Sequence, residues 1–333
     1  MPKVVFEGQE FCTKPGESVL DCLHRHGVSV NSSCRAGVCQ TCMMVAVEGE
    51  PTPASQAGLK DTLKAQNYFL ICSCVPEGDM VLGLPDGAKT QFDSRVISTE
   101  RVNEEVIRLR LSCPEKYDYL PGQFLTLFNE HGIGRNYSLG SVPATDDFLE
   151  LHIREISGGQ ISAWAGGLEV GDKVKIGAAT GQCAYSAGKP EQPLILVGNG
   201  TGLAPLWGIA RDALQQGHTG PIHLYHGSSY SSGLYLVNEL SKLADNNEQF
   251  HYHPCVSREE NAREARLGRA SDNALTEFPD LSGWRVFLCG NEGMVKEMQK
   301  RTFMAGASMQ EIFADPFTKP LAVGLMKNNV ATG

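Results

Sequence analysis

Three different periods of apolar and polar residues follow one another along the chain. In the first part, KVVF and EFC are short apolar runs joined by a Gly-containing turn, which predicts two paired strands. SVLDCLHRHG then places apolar residues at 19, 20 and 23, with Ser18 as its N-cap and Gly27 at its end, so a helix is expected. Beyond a cysteine-rich loop, MMVAVEG, YFLICSC and MVLGLP predict further strands. Sheet, one helix and a long loop make residues 1–90 an α+β domain.

Residues 91–189 alternate over many short runs: RVISTERV, VIRLRLSC, QFLTLFN, FLELHIREI and DKVKIGAA. Pro121-Gly122 and Gly171-Asp172 punctuate them, which predicts an antiparallel β-barrel with one helical interval at 159–168. From 190 to 333 the period changes again. PLILVG, LAPLWGIARDALQQG, PIHLYHG, a second helix and FHYHPCV alternate strand with helix, and RVFLCGN, MVKEMQKRTFMAG and MQEIFAD continue the series. That order predicts a doubly wound parallel sheet, so the fold class is multidomain α+β and α/β.

At 333 residues there is room for three cores. No apolar run approaches the roughly 20 residues of a membrane helix, and the acidic N-terminal dozen has no signal-peptide core, so a cytoplasmic location is expected. A net charge of −9 excludes the basic face of a nucleic-acid binder. It suits docking to a basic protein; residues 1–90 carry 7 Lys/Arg against 10 Asp/Glu, a net of −3.

Seven of the eleven cysteines lie in the first quarter: Cys12, Cys22, Cys34, Cys39, Cys42, Cys72 and Cys74. An odd count without an export signal argues for metal or redox use rather than a disulfide framework. Cys34, Cys39 and Cys42 stand as C-x4-C-x2-C, and Cys72 or Cys74 can supply a fourth thiolate. This is the plant-type [2Fe–2S] spacing. A tight loop with backbone N–H groups turned to the sulfurs favours Ala36 and Gly37 between the ligands. Zinc usually takes paired C-x2-C knuckles, and a redox C-x-x-C opens a helix, whereas this one precedes MMVAV. Cys12 and Cys22 read as small buried hydrophobes.

CRAGVCQTC with its flanking strands resembles a plant-type ferredoxin domain, and the rest of the chain resembles the ferredoxin–NADP reductase superfamily. Ferredoxin-first order is similar to the reductase components of bacterial multicomponent oxygenases, of the benzoate dioxygenase and methane monooxygenase types. The resemblance implies a β-grasp ferredoxin domain, an FAD-binding barrel and an NAD(P)-binding domain. The ferredoxin pattern has its last ligand after an aromatic–x–Leu–x run and four residues before Pro, which selects Cys72, with Pro76 beyond it, to join Cys34, Cys39 and Cys42.

RNYSL at 135–139 matches the family's R-x-Y-S flavin motif. It implies Arg135 on a flavin phosphate, Tyr137 against the isoalloxazine and Ser138 near N5. Gly158, Gly159 and Ser162 of GGQISAW would open the helix of the barrel onto the pyrophosphate. LHIRE matches a family strand against the flavin and brings in His152 and Arg154. GNGTGLAP, between a strand and a helix, offers Gly198, Gly200, Thr201, Gly202 and Pro205 to a nucleotide pyrophosphate. FLCGNEGMV implies Cys289 and Gly290 beside the nicotinamide, and EIFADPF implies Phe317 over the flavin ring. Ser138 and Cys289 are then the expected catalytic residues.

HGSSYSSGLYL offers hydroxyls and no cation for a 2′-phosphate, which favours NADH, although Arg258 in VSRE stands where NADPH-using relatives hold that phosphate. His251, His253 and Cys255 in FHYHPC could form a metal site, with a half-buried strand the plainer reading. The function implied is an NAD(P)H-dependent reductase: hydride passes from NADH to FAD, and single electrons leave by the [2Fe–2S] cluster for a partner oxygenase or carrier protein. A monomer is expected. The alternative is an iron–sulfur carrier or redox sensor without NAD(P)H turnover; a flavin enzyme with its own small substrate lacks a segment for a substrate domain.

Overall fold

The computed structural model describes residues 2–28, 30, 42–84, 91–262 and 264–317. The first sheet contains β1 (Lys3–Phe6), β2 (Gln9–Cys12), β3 (Met43–Glu48), β4 (Tyr68–Leu70) and β5 (Met80–Gly83), with α1 (Val19–Arg25) and the single turn α2 (Asp61–Lys64). Its order is β2-β1-β5-β3-β4, with β1 and β5 parallel. Glu7 and Gly8 both take positive φ in the two-residue hairpin between β1 and β2. Ser18 caps α1 by accepting from the Asp21 amide at 3.1 Å. Val19, Leu20, Cys22 and Leu23 of α1 enter a core with Phe69, Leu70 and Cys74.

One strand is shorter than its alternation predicts. YFLICSC pairs only as far as Leu70, and residues 71–73 turn. The Ile71 and Cys74 carbonyls instead accept from Leu20 and Val19 at the start of α1, at 3.1 and 2.8 Å.

The second sheet holds β6 (Gln91–Arg101), β7 (Val106–Ser112), β8 (Phe124–Phe128), β9 (Gly134–Ser138), β10 (Phe148–Arg154) and β11 (Lys173–Gly177), with α3 (Gln160–Gly166). All its pairs are antiparallel, in the order β10-β7-β6-β11-β8-β9. A bridge between Leu139 and Leu151, with the Gly140 amide donating to the Glu150 carbonyl, joins the two edge strands and closes the barrel at that point. Leucines from several strands, among them Leu109, Leu125, Leu127 and Leu149, fill its interior.

The third sheet is wholly parallel. It is built from β12 (Leu194–Asn199), α4 (Leu203–Gln215), β13 (Ile222–Ser228), α5 (Val237–Asn246), β14 (Phe250–Val256), β15 (Arg266–Leu267), α6 (Ala270–Glu277), β16 (Arg285–Asn291), α7 (Glu292–Met304) and β17 (Ile312–Phe317). α4 and α5 cover one face through Leu206, Ile209 and Leu240, and α6 and α7 cover the other through Ala274, Val295 and Met298. β12 is therefore buried on both sides, which is why LILVG is continuously apolar. The order β15-β14-β13-β12-β16-β17 reverses direction between β12 and β16, the switch point at which such sheets open a crevice. Among the described residues no helix is long and apolar enough to cross a membrane.

The first sheet rests on the other two through a small set of polar contacts. Lys60 Nζ donates to the Ile312 carbonyl and lies 4.2 Å from the Phe313 ring centre. Thr62 Oγ1 donates to Gln182 O at 3.0 Å, Gln66 Nε2 to Gly181 O at 3.3 Å, and Gln310 Nε2 to Gly58 O at 3.4 Å.

At the switch point the backbones approach so closely that a Cβ on Gly202 would stand 2.2 Å from the Cys289 carbonyl oxygen. Gly202→Ala should therefore destabilise the fold by about 1–3 kcal/mol, seen as a lower denaturant midpoint. Gly78→Ala, whose Cβ would meet nothing within 4 Å, should leave the midpoint in place.

Candidate functional site

The seam of the barrel and the crevice of the parallel sheet meet at one place. Ser138, buried at the end of β9, donates its hydroxyl to Asp315 Oδ2 of β17 at 2.8 Å. Burial pushes the Asp315 carboxyl up, and the Ser138 hydrogen bond only partly opposes it. Asp315 pairs in register with Cys289 of β16. Cys289 is fully buried with its sulfur 3.5 Å from that of Cys183, and burial and this second thiol push its pKa well up, so it stays a neutral thiol. Beside Asp315 lies a cleft of about 270 Å³, lined by Met43 and Tyr68 of the first sheet and by Phe124, Gly181 and Cys183 of the barrel. All three sheets thus border one concave, largely apolar space.

On β9, Arg135 is exposed and Tyr137 is half-buried against the barrel core, its hydroxyl pushed up to about 12 by burial. The two residues taken from β10 part company. His152 is buried between Glu150 and Tyr235, with ring nitrogens 3.1 Å from each. Burial raises Glu150, but hydrogen bonds from His152 and Arg110 outweigh it and hold the carboxyl at about 2. This network ties the barrel to the nucleotide sheet. Arg154 instead lies exposed and pairs with Glu105 at 2.6 Å. Gly158 is an exposed turn residue at φ 75°, and Gly159 caps α3. The Ser162 hydroxyl accepts from the Ile156 amide and donates to Gly159 O, holding that loop.

In the crevice, Gly198 is the penultimate residue of β12 and a tight turn, Gly200–Gly202, leads into α4, with Thr201 half-buried at its centre. Pro205 sits in the first turn of α4, where a missing N–H costs nothing. Asn199 Oδ1 accepts from the Asn291 amide at 2.9 Å and stitches β12 to β16 across the switch. Gly290 takes φ 121° there, and a Cβ on it would strike Asn199. Phe317 ends β17 beside Asn291. Beyond β13, Glu259 accepts from both the amide and the hydroxyl of Ser231, while Arg258 is exposed.

Of the four expected cluster ligands, Cys34 and Cys39 lie outside the described residues. Cys42 and Cys72 converge at one end of the β3–β4 pair, where Met43 is opposite Leu70 and the Ile71 amide donates to Cys42 O. Cys72 is half-buried in the turn. Cys74 is wholly inside the first core, its thiol pushed up by burial against hydrogen bonds from Thr52 and Ser55.

The chain matches three domain families in order: a 2Fe-2S iron-sulfur cluster binding domain over residues 4–77, an oxidoreductase FAD-binding domain over 93–185 and an oxidoreductase NAD-binding domain over 196–300. The naphthalene 1,2-dioxygenase system ferredoxin–NAD(P)(+) reductase component of Pseudomonas putida is 30% identical over 309 residues, 91% of this chain and 94% of that protein. The aromatic O-demethylase reductase subunit of Amycolatopsis sp. is 30% identical over 328 residues, 93% and 97% of the two chains. The crystal structure of the Amycolatopsis cytochrome P450 reductase GcoB has a TM-score of 0.66 at 28% identity, covering 96% and 99%. The chain belongs to the family of ferredoxin–NAD(P)+ reductase components of oxygenase systems, with a [2Fe–2S] domain ahead of FAD- and NAD-binding domains.

Proposed function

We propose that this protein takes hydride from NADH and delivers single electrons, through its [2Fe–2S] domain, to a partner oxygenase. The observation that carries this reading is the cleft lined by Met43 and Tyr68, Phe124 and Cys183, and Asp315, where elements of all three modules come together, with Ser138 and Cys289 packed behind it on Asp315 and Cys183. The modules are assigned to residues 1–90, 91–189 and 190–333. FAD, when bound, supplies the exchange between a two-electron donor and a one-electron acceptor.

Asp315 in the cleft and the residues on the elements around it fit such a group. Ser138 is held with its hydroxyl in reach of a proton-accepting neighbour, and Asp315, its carboxyl raised by burial, can keep a proton behind it. Cys289, fully buried behind the surface that a nicotinamide would meet, adds no charge to it. Tyr137 offers an aromatic face, Arg135 an exposed cation for a phosphate, and Phe317 a second ring at the end of β17. The glycines at 198, 200 and 202 and Thr201 present backbone N–H groups and a hydroxyl to a pyrophosphate ahead of α4.

For the cluster, Cys72 is assigned as the fourth ligand with Cys34, Cys39 and Cys42. Its half-exposed position at the mouth of the β3–β4 pair suits a metal, whereas Cys74 is already committed to the core. NADH is favoured over NADPH because Glu259, just past β14, sets its carboxylate on Ser231 in the loop beyond β13, where a 2′-phosphate would need a cation. The proteins named above serve oxygenase systems, so an oxygenase of this kind is the assigned partner, met by a monomeric reductase in the reducing cytoplasm.

Cys72→Ser should remove the [2Fe–2S] absorption bands and keep those of the flavin, with NADH-dependent cytochrome c reduction falling to background. Cys74→Ser should keep both chromophores and the activity. Exchange of these two outcomes overturns the ligand choice, and wild type without NADH-dependent turnover overturns the reductase reading in favour of a sensor. Glu259→Ala should raise kcat/KM for NADPH several-fold relative to NADH; an unchanged ratio would remove Glu259 from cofactor selection.

A further inference from the structure

The nucleotide sheet carries a cluster of imidazoles that the electron-transfer site does not use. His223 stands near the start of β13, and His253 pairs with Tyr225 two residues further along the same strand pair. His223 Nδ1 lies 3.0 Å from His253 Nε2. Glu277, the last residue of α6, faces both rings, and one ligand atom from each of the three residues falls within 4.8 Å of the others. We infer that His223, His253 and Glu277 form a site for a zinc-like divalent ion, clamped between the nucleotide sheet and α6.

The geometry is close to what such an ion needs. Two nitrogens bound tetrahedrally to zinc stand about 3.3 Å apart, near the separation found here. The two rings share one hydrogen across their contact. Binding requires one ring to carry its hydrogen on the other nitrogen, and no net proton leaves. Burial lowers both imidazoles to about 4, so both are neutral, as ligands must be.

The carboxylate is already oriented. Tyr225 OH donates to Glu277 Oε2 at 2.8 Å, and Arg266 pairs with that same oxygen, which leaves Oε1 to turn toward the imidazoles. Partners of this kind, behind a ligand, fix its direction. The Arg266 cation opposes a metal charge, but it is held on the far oxygen. Around His223 the rings of Phe278 and Trp284 supply an apolar wall, with centroids at 4.5 and 5.9 Å. His251 stacks on His223 from the exposed side at 4.5 Å.

The composition differs from the one the sequence suggests. Cys255 is not a member: its thiol points to the His253 carbonyl and burial pushes it up to about 12. The site lies toward the N-terminal end of β13, away from the crevice at the C-terminal ends of β12 and β16. An ion there would pin α6 to the sheet without touching the hydride path.

The test uses the full chain loaded with cluster and flavin, stripped of loose metal on a chelating resin and dialysed against Zn²⁺ with elemental analysis. Wild type should hold one more zinc per chain than His223→Gln, His253→Gln or Glu277→Gln, with at least tenfold weaker binding in each variant. His251→Gln should retain it. Zinc should raise the melting temperature of wild type and of His251→Gln only. Flavin and cluster spectra and NADH-dependent cytochrome c reduction verify that every variant is folded. Equal zinc content and equal melting shifts in wild type and the three ligand variants would overturn the site, whatever becomes of the reductase reading.

Discussion

The hydrogen bond from Ser138 to Asp315 joins the seam of the barrel to the last strand of the parallel sheet, 177 residues further along the chain. Its net contribution to stability is ordinary, about 0.5–1.5 kcal/mol, but its position is not. β9 ends there, Leu139 closes the barrel one residue later, and β17 lies next to the strand that carries Cys289. A crevice between two domains has a shape only if the domains hold one orientation. The Glu150–His152–Tyr235 network and the twofold contact of Arg211 with Asp146, at 2.7 and 2.8 Å, hold the same orientation from other sides.

That arrangement also explains the neutrality of the site. Cys183 and Cys289 come from different domains, and their burial in contact keeps both sulfurs in an apolar setting. The buried ionic groups are placed further off, where Glu150 has Arg110 and His152 to compensate it. Among the described residues Asp315 is the one carboxyl lining the cleft, with burial pushing it up, while the fully ionised pairs stand at the supports.

Much of the architecture was legible in the sequence, because the strongest signals are periodic and local. The LILVG run, the Ser18 cap and the alternating barrel strands each need only neighbours a few residues away. The features that escaped depend on distant partners. Asp315 has no local mark, since its role follows from Ser138. The alternation in YFLICSC stops at Leu70 because the start of α1, some fifty residues earlier, takes the carbonyls that a strand would have used. α6, ASDNALTE, has too few apolar residues to show a helical stripe, and packing of Ala270 and Ala274 against the sheet sets it. In β10 six of seven residues are at least half-buried, so the pattern could not tell that His152 turns to Tyr235 while Arg154 meets solvent. Of the expected cluster ligands, both the spacing and the choice of Cys72 came from the sequence pattern, and what the structure adds is that Cys72 lies in a turn while Cys74 is buried in the core.

The joint between the first sheet and the other two is made largely to backbone carbonyls: Lys60 on Ile312, Thr62 on Gln182, Gln66 on Gly181 and Gln310 on Gly58. A carbonyl is present whatever side chain its residue carries. Residues on the accepting side can therefore drift in identity without weakening these bonds, provided the backbone path is kept. An iron–sulfur module attached in this way can change its outer surface to suit a new redox partner while its seat on the flavin and nucleotide modules stays the same.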